Sequence, residues 1–196
     1  MKKRGLTGRL MITSDAHEGI LYGISKIFPA VPWQRCQVYF NRNITDKAPK
    51  AYQTGLRSEL FAMFSSRTIE EARKKRDEII NDYKEIAEKA MECFDEGFES
   101  AMTVMIMPGR IRQACLTTNH LERLNRELKR RSKVIGIFLN TESLIRLMGF
   151  LLIEHSNIQQ SRTALFSKGT YQKLMQSDIP ENLVRIAEEQ KVLLAA

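Results

Sequence analysis

Two stretches of the chain carry residues whose types and spacing suit metal and phosphate chemistry. The first is SDAHEG at 14–19. Asp15 follows the run Leu10, Met11, Ile12, Thr13, Ser14, which is apolar, partly β-branched and reads as a buried strand. A carboxylate at the C-terminal end of a strand stands where ligands gather in open α/β sheets. Its oxygens suit a hard divalent cation. The same residues also fit a plain helix start, with Asp15 as the cap and Glu18 completing a capping box. His17 fits a surface or packed histidine as well as a ligand.

The second stretch is TTNHLERLNRELKRR at 117–131. At about 100° per residue, Leu121, Leu124 and Leu128 share one face and are expected to pack on the core. Glu122, Asn125, Arg126 and Lys129 share a neighbouring face, so Glu122 sits among groups suited to phosphate. Glu127 lies about 140° from Glu122 on the wheel, and is placed to pair with Arg123 or Arg131 at four-residue spacing. The bland alternative is a solvated charged face. A third segment, WQRCQVYF at 33–40, sets aromatics beside arginine. That composition suits base stacking, but at strand spacing the aromatics read more simply as core. Cys36 has no cysteine or histidine partner at metal-ligand spacing, which argues against zinc.

These residues need elements to hold them. The strand ending at Ser14 is followed by a helical stripe of Ile20, Leu21, Ile24, Ile27 and Phe28, stopped by Pro29. The segment from Val31 to Phe40 reads as a second strand running into a helix, giving a βαβ-like unit and a parallel or mixed sheet. From Asn41 to about Cys115 the pattern is helical. Its clearest stripe runs Ile69, Ala72, Ile79, Ile80, Tyr83, Ile86, Ala87, Ala90, Met91, Phe94, and Thr68 with Glu71 reads as its capping box. Pro108 and Gly109 interrupt the pattern. Further helices are expected over 118–131, from Thr141 with a hydroxyl at the cap, and as one or two short pieces after Ser161. Two strands do not make a self-sufficient sheet. The remaining strands must come from elsewhere, or the chain is a piece of a larger protein.

Composition narrows the partners. The 196 residues are 43% hydrophobic and 28% charged, as in a globular rather than a disordered chain. The net charge of +8 favours a polyanion. The excess is local, since residues 110–133 hold eight basic side chains, from Arg110 and Arg112 to Lys133, against the acidic Glu122 and Glu127. Three cysteines, with no CxxC pair, argue against a disulfide framework. No apolar run approaches the roughly 20 residues of a membrane span. The basic start at residues 1–4 resembles a signal-peptide n-region, but charged side chains soon interrupt the stretch after it. The expectation is a soluble, cytoplasmic protein with no membrane partner.

Taken together, SDAHEGI at 14–20, FPAVPWQRCQVYFNRN at 28–43 and TTNHLERLNRELKRRSKVIGIF at 117–138 resemble the Mutator-type transposases of bacterial insertion sequences. The resemblance spans roughly residues 5–160 and implies the C-terminal portion of such an enzyme. It implies a fold that is α/β by ancestry but predominantly α. An incomplete RNase H-like core of about two strands (1–40) would be interrupted by an all-helical insertion (41–115). The remaining core helices, including the glutamate helix, would occupy 116–160, and a helical tail 161–196. In the implied Asp-Asp-Glu set, Asp15 is the second aspartate and Glu122 the glutamate, both catalytic and metal-binding. Lys129 would contact DNA, together with Arg123, Arg126, Arg130 and Arg131. The implied chemistry is cleavage and strand transfer at terminal inverted repeats and into target DNA, with two Mg²⁺ or Mn²⁺ ions about 3.5–4 Å apart in the complete protein. The family's first aspartate lies upstream of the SDAHEG block, so the expectation is a truncated copy, inactive alone. Tyr39 stands where the family typically has a histidine, and Leu139 where a proline is usual. The alternative is a non-catalytic fragment that binds DNA, or binds full-length transposase, and so regulates transposition. Homo-oligomers are the third form of partnership expected.

Overall fold

The first strand, β1 (Ile12–Ser14), leads into helix α1 (Glu18–Ile27), whose apolar residues recur at three- and four-residue steps until Phe28 closes its last turn on the Ile24 carbonyl. The chain then returns as β2 (Trp33–Arg35), which pairs parallel with β1 in the register Ile12 with Trp33, Thr13 with Gln34 and Ser14 with Arg35. Strand, helix and parallel strand follow in the expected order. This computed structural model describes residues 10–161 and 167–195, with side chains for all of these except Arg110 and residues 192–195. Residues 1–4 and Gly8, and the start of the tail at 162–166, lie outside the described residues.

Helices α2 (Gln37–Asp46), α3 (Gln53–Phe64), α4 (Ile69–Tyr83) and α5 (Glu88–Met102) follow, then a 3-10 turn (Thr103–Ile106) and α6 (Gly109–Cys115). The fold is predominantly helical with a small two-stranded parallel sheet. Phe40 and Ile44 of α2 are buried with Leu56, Leu60 and Met63 of α3, Ala72 and Ile79 of α4, and Phe94 and Phe98 of α5. Phe94 meets Phe98 edge-on with ring centroids 6.1 Å apart, within the range that favours aromatic pairs. Gly97 permits the close seating of α2 on α5. A Cβ there would run into the Phe40 ring and the Arg35 guanidinium.

The apolar stripe from Ile69 to Phe94 is not one helix. It breaks between Tyr83 and Glu88, and Arg73, early in α4, pairs with Glu99, late in α5 (3.1 Å), so the two helices run antiparallel. A straight helix of that length would leave half its stripe without a partner. Folding it back places Ala72 and Ile79 in one cluster with Phe94 and Phe98. The expected cap is present: the Glu71 N–H donates to Thr68 Oγ1 at 3.2 Å, while the Glu71 carboxylate reaches past Thr68 to accept from the Arg67 N–H at 3.0 Å.

The chain divides into two compact units, Met1–Thr117 with Lys168–Ala196, and Thr118–Ser167. In the first, the tail forms α9 (Lys168–Met175) and α10 (Ile179–Ala195), and α10 packs on α1. The Gln190 side chain of α10 takes the outer edge of β2, accepting from the Trp33 N–H (2.7 Å) and donating to the Trp33 carbonyl (2.8 Å). An amide thus pairs the strand edge as another strand would, which satisfies both backbone groups.

The second unit is a pair of helices, α7 (Asn119–Ile135) and α8 (Thr141–Ser161), joined by an Arg131–Glu154 ion pair at 3.5 Å. Helix α7 runs four residues past the expected end and stops at Gly136, whose φ of +75° suits a residue without a side chain. The leucines of α7 are not core as expected: no residue of the helix is buried, and Leu121 is 59% exposed. The amphipathic period is there, but two helices alone do not enclose it. The cap of α8 also differs. Asn140 Oδ1 accepts from the Ser143 N–H (2.8 Å), one residue before the threonine expected to cap.

Candidate catalytic carboxylates and a basic helix

Asp15 leaves the sheet at the C-terminal end of β1 and is half-buried in the turn before α1. It does not cap that helix. His17 is the cap, its Nδ1 accepting from the Gly19 N–H at 3.2 Å, while Glu18 is exposed in the first turn. A capping box through Asp15 and Glu18 is therefore absent, because the helix starts late enough for the imidazole to satisfy an orphan donor. Behind Asp15, the Ser14 hydroxyl donates to the Asp15 carbonyl (2.7 Å) and accepts from the Trp33 indole N–H (2.9 Å). The strand end is thus tied both to its own turn and to β2.

The chain that leads towards α7 is pinned to the same sheet. Thr13 Oγ1 donates to the Cys115 carbonyl (2.8 Å), and the Gln37 N–H to that of Leu116 (3.1 Å). Burial pushes the Cys115 thiol above its usual pKa, so it is less readily ionised there.

Glu122 stands in the first turn of α7, where a carboxylate faces the positive end of the helix dipole. It is half-buried and accepts from the Thr118 hydroxyl at 3.1 Å. Arg123, Arg126 and Lys129 are exposed, and no carboxylate among the described residues lies within ion-pair distance of them. Glu127 holds Arg131 (2.8 Å), as one of the two expected pairings, and also Arg130 (2.8 Å) rather than Arg123. Hydrogen bonds from Arg130 and then Arg131 hold the Glu127 carboxyl down to about 2. Two of the five cations read as phosphate contacts are thus partly neutralised from within the helix. Asp15 and Glu122 belong to different units. Among the described residues no three His, Cys, Asp or Glu side chains gather as a metal site.

The aromatic segment is core, not a stacking platform. Trp33 and Phe40 are buried, and the Arg35 guanidinium lies over both rings, 5.5 and 5.0 Å from their centroids. Burial lowers the Arg35 pKa. Sequence reading missed the two buried amides here. Gln34 donates to the Ala101 carbonyl and accepts from the Val104 N–H, both at 2.7 Å, and Gln37 donates to the same carbonyl at 2.8 Å. They satisfy backbone groups where α5 ends, and lock β2 to that end. Gln-x-x-Gln in a mostly apolar segment was the available signal. Tyr39, in place of the expected histidine, lies under the Arg42 guanidinium at 5.4 Å.

Among the described residues no helix is long and apolar enough to cross a membrane. Comparison with known proteins places these residues in a family. The family described as "Transposase, Mutator family" matches residues 1–161. The transposase for insertion sequence element IS256 in transposon Tn4001 of Staphylococcus aureus is 38% identical over 156 residues, covering 79% of this chain and 40% of the relative. The transposase for insertion sequence element ISRM5 of Rhizobium meliloti (strain 1021) is 34% identical over 158 residues, covering 80% and 40%. That for IS1081 of Mycobacterium tuberculosis is 32% identical over 151 residues, covering 77% and 36%. The aligned segment is therefore about two fifths of each relative. On the strength of the family match across most of its length, the chain belongs to the Mutator family of transposases.

Proposed function

We propose that this chain is the C-terminal portion of a DDE-type transposase, in which Asp15 and Glu122 are the second aspartate and the glutamate of a metal-dependent site for DNA cleavage and strand transfer. The observation that carries the reading is the family match over residues 1–161, which takes in both carboxylates and the α7 block. On this reading residues 1–40 and 116–160 derive from an RNase H-like core, 41–115 are its helical insertion and 161–196 a tail. The parallel β1–β2 pair joined through α1 is the kind of unit such a core uses. Two further observations support Asp15. It lies at the carboxyl end of a strand, and His17 relieves it of capping.

The donor chemistry suits Mg²⁺ or Mn²⁺, since carboxylate oxygens match hard cations. When bound in pairs, such ions activate water or a 3′-hydroxyl and stabilise the leaving oxygen. The chain's own part is to offer Asp15 and Glu122 and to position DNA through Arg123, Arg126, Lys129, Arg130 and Arg131. Two carboxylates leave a two-metal site short of ligands, so the chain alone does not cleave. The working partners are insertion-sequence ends and target DNA, in the cytoplasm. Purified chain with Mg²⁺ or Mn²⁺ is expected to leave terminal-inverted-repeat DNA intact. Robust cleavage lost in Glu122→Gln would overturn the inactivity and support the site. Loss of Mn²⁺ relaxation enhancement in Asp15→Asn tests the ligand role directly.

A second reading has its own support. The α7–α8 unit exposes Ile137, Leu139 and Phe150 and also carries the basic side chains Arg123, Arg126 and Lys129, which suits a non-catalytic fragment that holds DNA and docks on a full-length transposase or on a second copy. DNA affinity should then fall steeply with salt, because each phosphate contact releases counterions. Binding that is absent at about 50 mM salt, or indifferent to salt, sinks it.

A further inference from the structure

The first unit contains a recess of about 1100 Å³ between α2, α3 and α6. Arg42, Arg57, Arg67 and Arg112 line it, and no aspartate or glutamate does. On the neighbouring α4 and α5 the opposite holds, with Arg73 on Glu99, Lys75 on Glu71, and Arg76 on Asp77 and Asp95. Among the described residues, no carboxylate lies within ion-pair distance of the four arginines of the recess. Arg112 is structural, donating to the Ser66 and Arg67 carbonyls at 2.6 and 3.4 Å and so bracing one wall. Arg42, Arg57 and Arg67 are exposed, and Arg42, which lies over the Tyr39 ring, has no carboxylate partner among the described residues.

Two further features point to a ligand. Ser66 lines the recess, is only 2% exposed, and its Oγ has no hydrogen-bond partner among the described residues. Buried hydroxyls are normally paired, so a donor or acceptor from outside fits here. Phe61 also lines the recess and is 70% exposed, a large aromatic face left in solvent.

We propose that this recess binds single-stranded DNA, with backbone phosphates on Arg42, Arg57 and Arg67 and an unpaired base stacked on Phe61. The proposal rests on the reading of the chain as a DNA-handling protein but uses none of the α7 residues. Unpaired cations follow a phosphate backbone, and an exposed ring takes any base by its π face. A duplex, whose major groove alone is about 12 Å wide, is too bulky to enter such a recess.

The test is fluorescence anisotropy of the full chain with a labelled oligothymidylate of about 12 nucleotides, a length within the usual site size. A triple variant, Arg42→Gln with Arg57→Gln and Arg67→Gln, is expected to bind at least about tenfold more weakly. Its log affinity against log salt should flatten by about 2, from three lost contacts at roughly 0.7 each. Its melting temperature should stay unchanged, because the three side chains are exposed. Phe61→Ala should weaken the oligothymidylate and spare a duplex of the same length. Ser66→Ala, which removes a hydroxyl with no hydrogen-bond partner among the described residues, should weaken binding by about two- to threefold without loss of stability. Unchanged affinity and slope in the triple variant, with binding lost instead in Arg126→Gln/Lys129→Gln, would overturn the proposal and leave the proposed function standing. Duplex binding with no oligothymidylate binding would do the same. Absence of any DNA binding would overturn both.

Discussion

The helical body around Phe40 and Phe94 and the α7–α8 pair obey the same amphipathic rule yet end in opposite states. In the first, four helices close on each other, and every large apolar residue of the α2 and α5 stripes that faces inward is buried. In the second, no residue of α7 and only Leu151 of α8 is buried, although leucines recur at helical spacing in both. Periodicity tells which side of a helix is apolar. Enclosure needs a third and fourth wall, and those come from elsewhere in a fold.

The sharpest way to break this comparison is truncation of one ring in each region. Phe94→Ala should destabilise by about 3–5 kcal/mol, since it removes a fully enclosed ring. Phe150→Ala, at a site 66% exposed, should stay within roughly 0.5 kcal/mol. Equal losses by urea unfolding would mean that α8 is as enclosed as α5. Next in size, Gly97→Ala should cost about 1–3 kcal/mol by overpacking, as the Phe40 ring and Arg35 have to give way. The same change at Gly149, which meets nothing within contact distance, should be neutral or slightly stabilising.

The core region also carries a tyrosine that ionises late. Burial and a 2.9 Å hydrogen bond donated to Glu59 push the Tyr83 phenol up to about 12. With a folded pKa above the usual 10.0, its stabilising contribution is complete below about pH 10 and is lost as pH rises through about 12. An alkaline absorbance titration should show one tyrosine ionising late, and Tyr83→Phe should abolish that late phase. A phase shared by all tyrosines would place Tyr83 in solvent.

The smallest expected effect belongs to α7. Its Glu127, partly exposed and held at about 2 by Arg130 and Arg131, stays ionised as pH falls through the usual carboxylate range near 4.5. Glu127→Gln frees both guanidiniums and should raise DNA affinity by about two- to threefold at low salt, with little change in melting temperature. Weaker binding in this variant would show that Glu127 orients the arginines rather than competing for them.

Much of the local structure was legible in the residues themselves. The order strand, helix, strand followed from apolar run, stripe and Pro29, and the Thr68 cap from a hydroxyl three residues before a glutamate. Pairing of Glu127 with Arg131 followed from four-residue spacing. The cap of α1 was not legible. Asp15 and His17 both qualify locally, and the choice depends on where the turn after β1 lets the helix begin. The break between Tyr83 and Glu88 was hidden because the stripe continues across it with no proline or glycine.

What the sequence determined by itself is therefore short-range: periods, the Thr68 cap, charge density along α7, and the three blocks that mark the family. These are properties of residues within a few turns of each other, governed by backbone geometry and nearest side chains. Tertiary structure decided the long-range matters. It set Gln34 on Ala101 and Val104, and Gln190 on the edge of β2. It also gathered Arg42, Arg57 and Arg67 around one recess and left Leu121 of α7 exposed and Leu124 and Leu128 only half-buried. An amide that satisfies a backbone group far along the chain looks, locally, like any other glutamine. Only the packing of distant elements selects the partner.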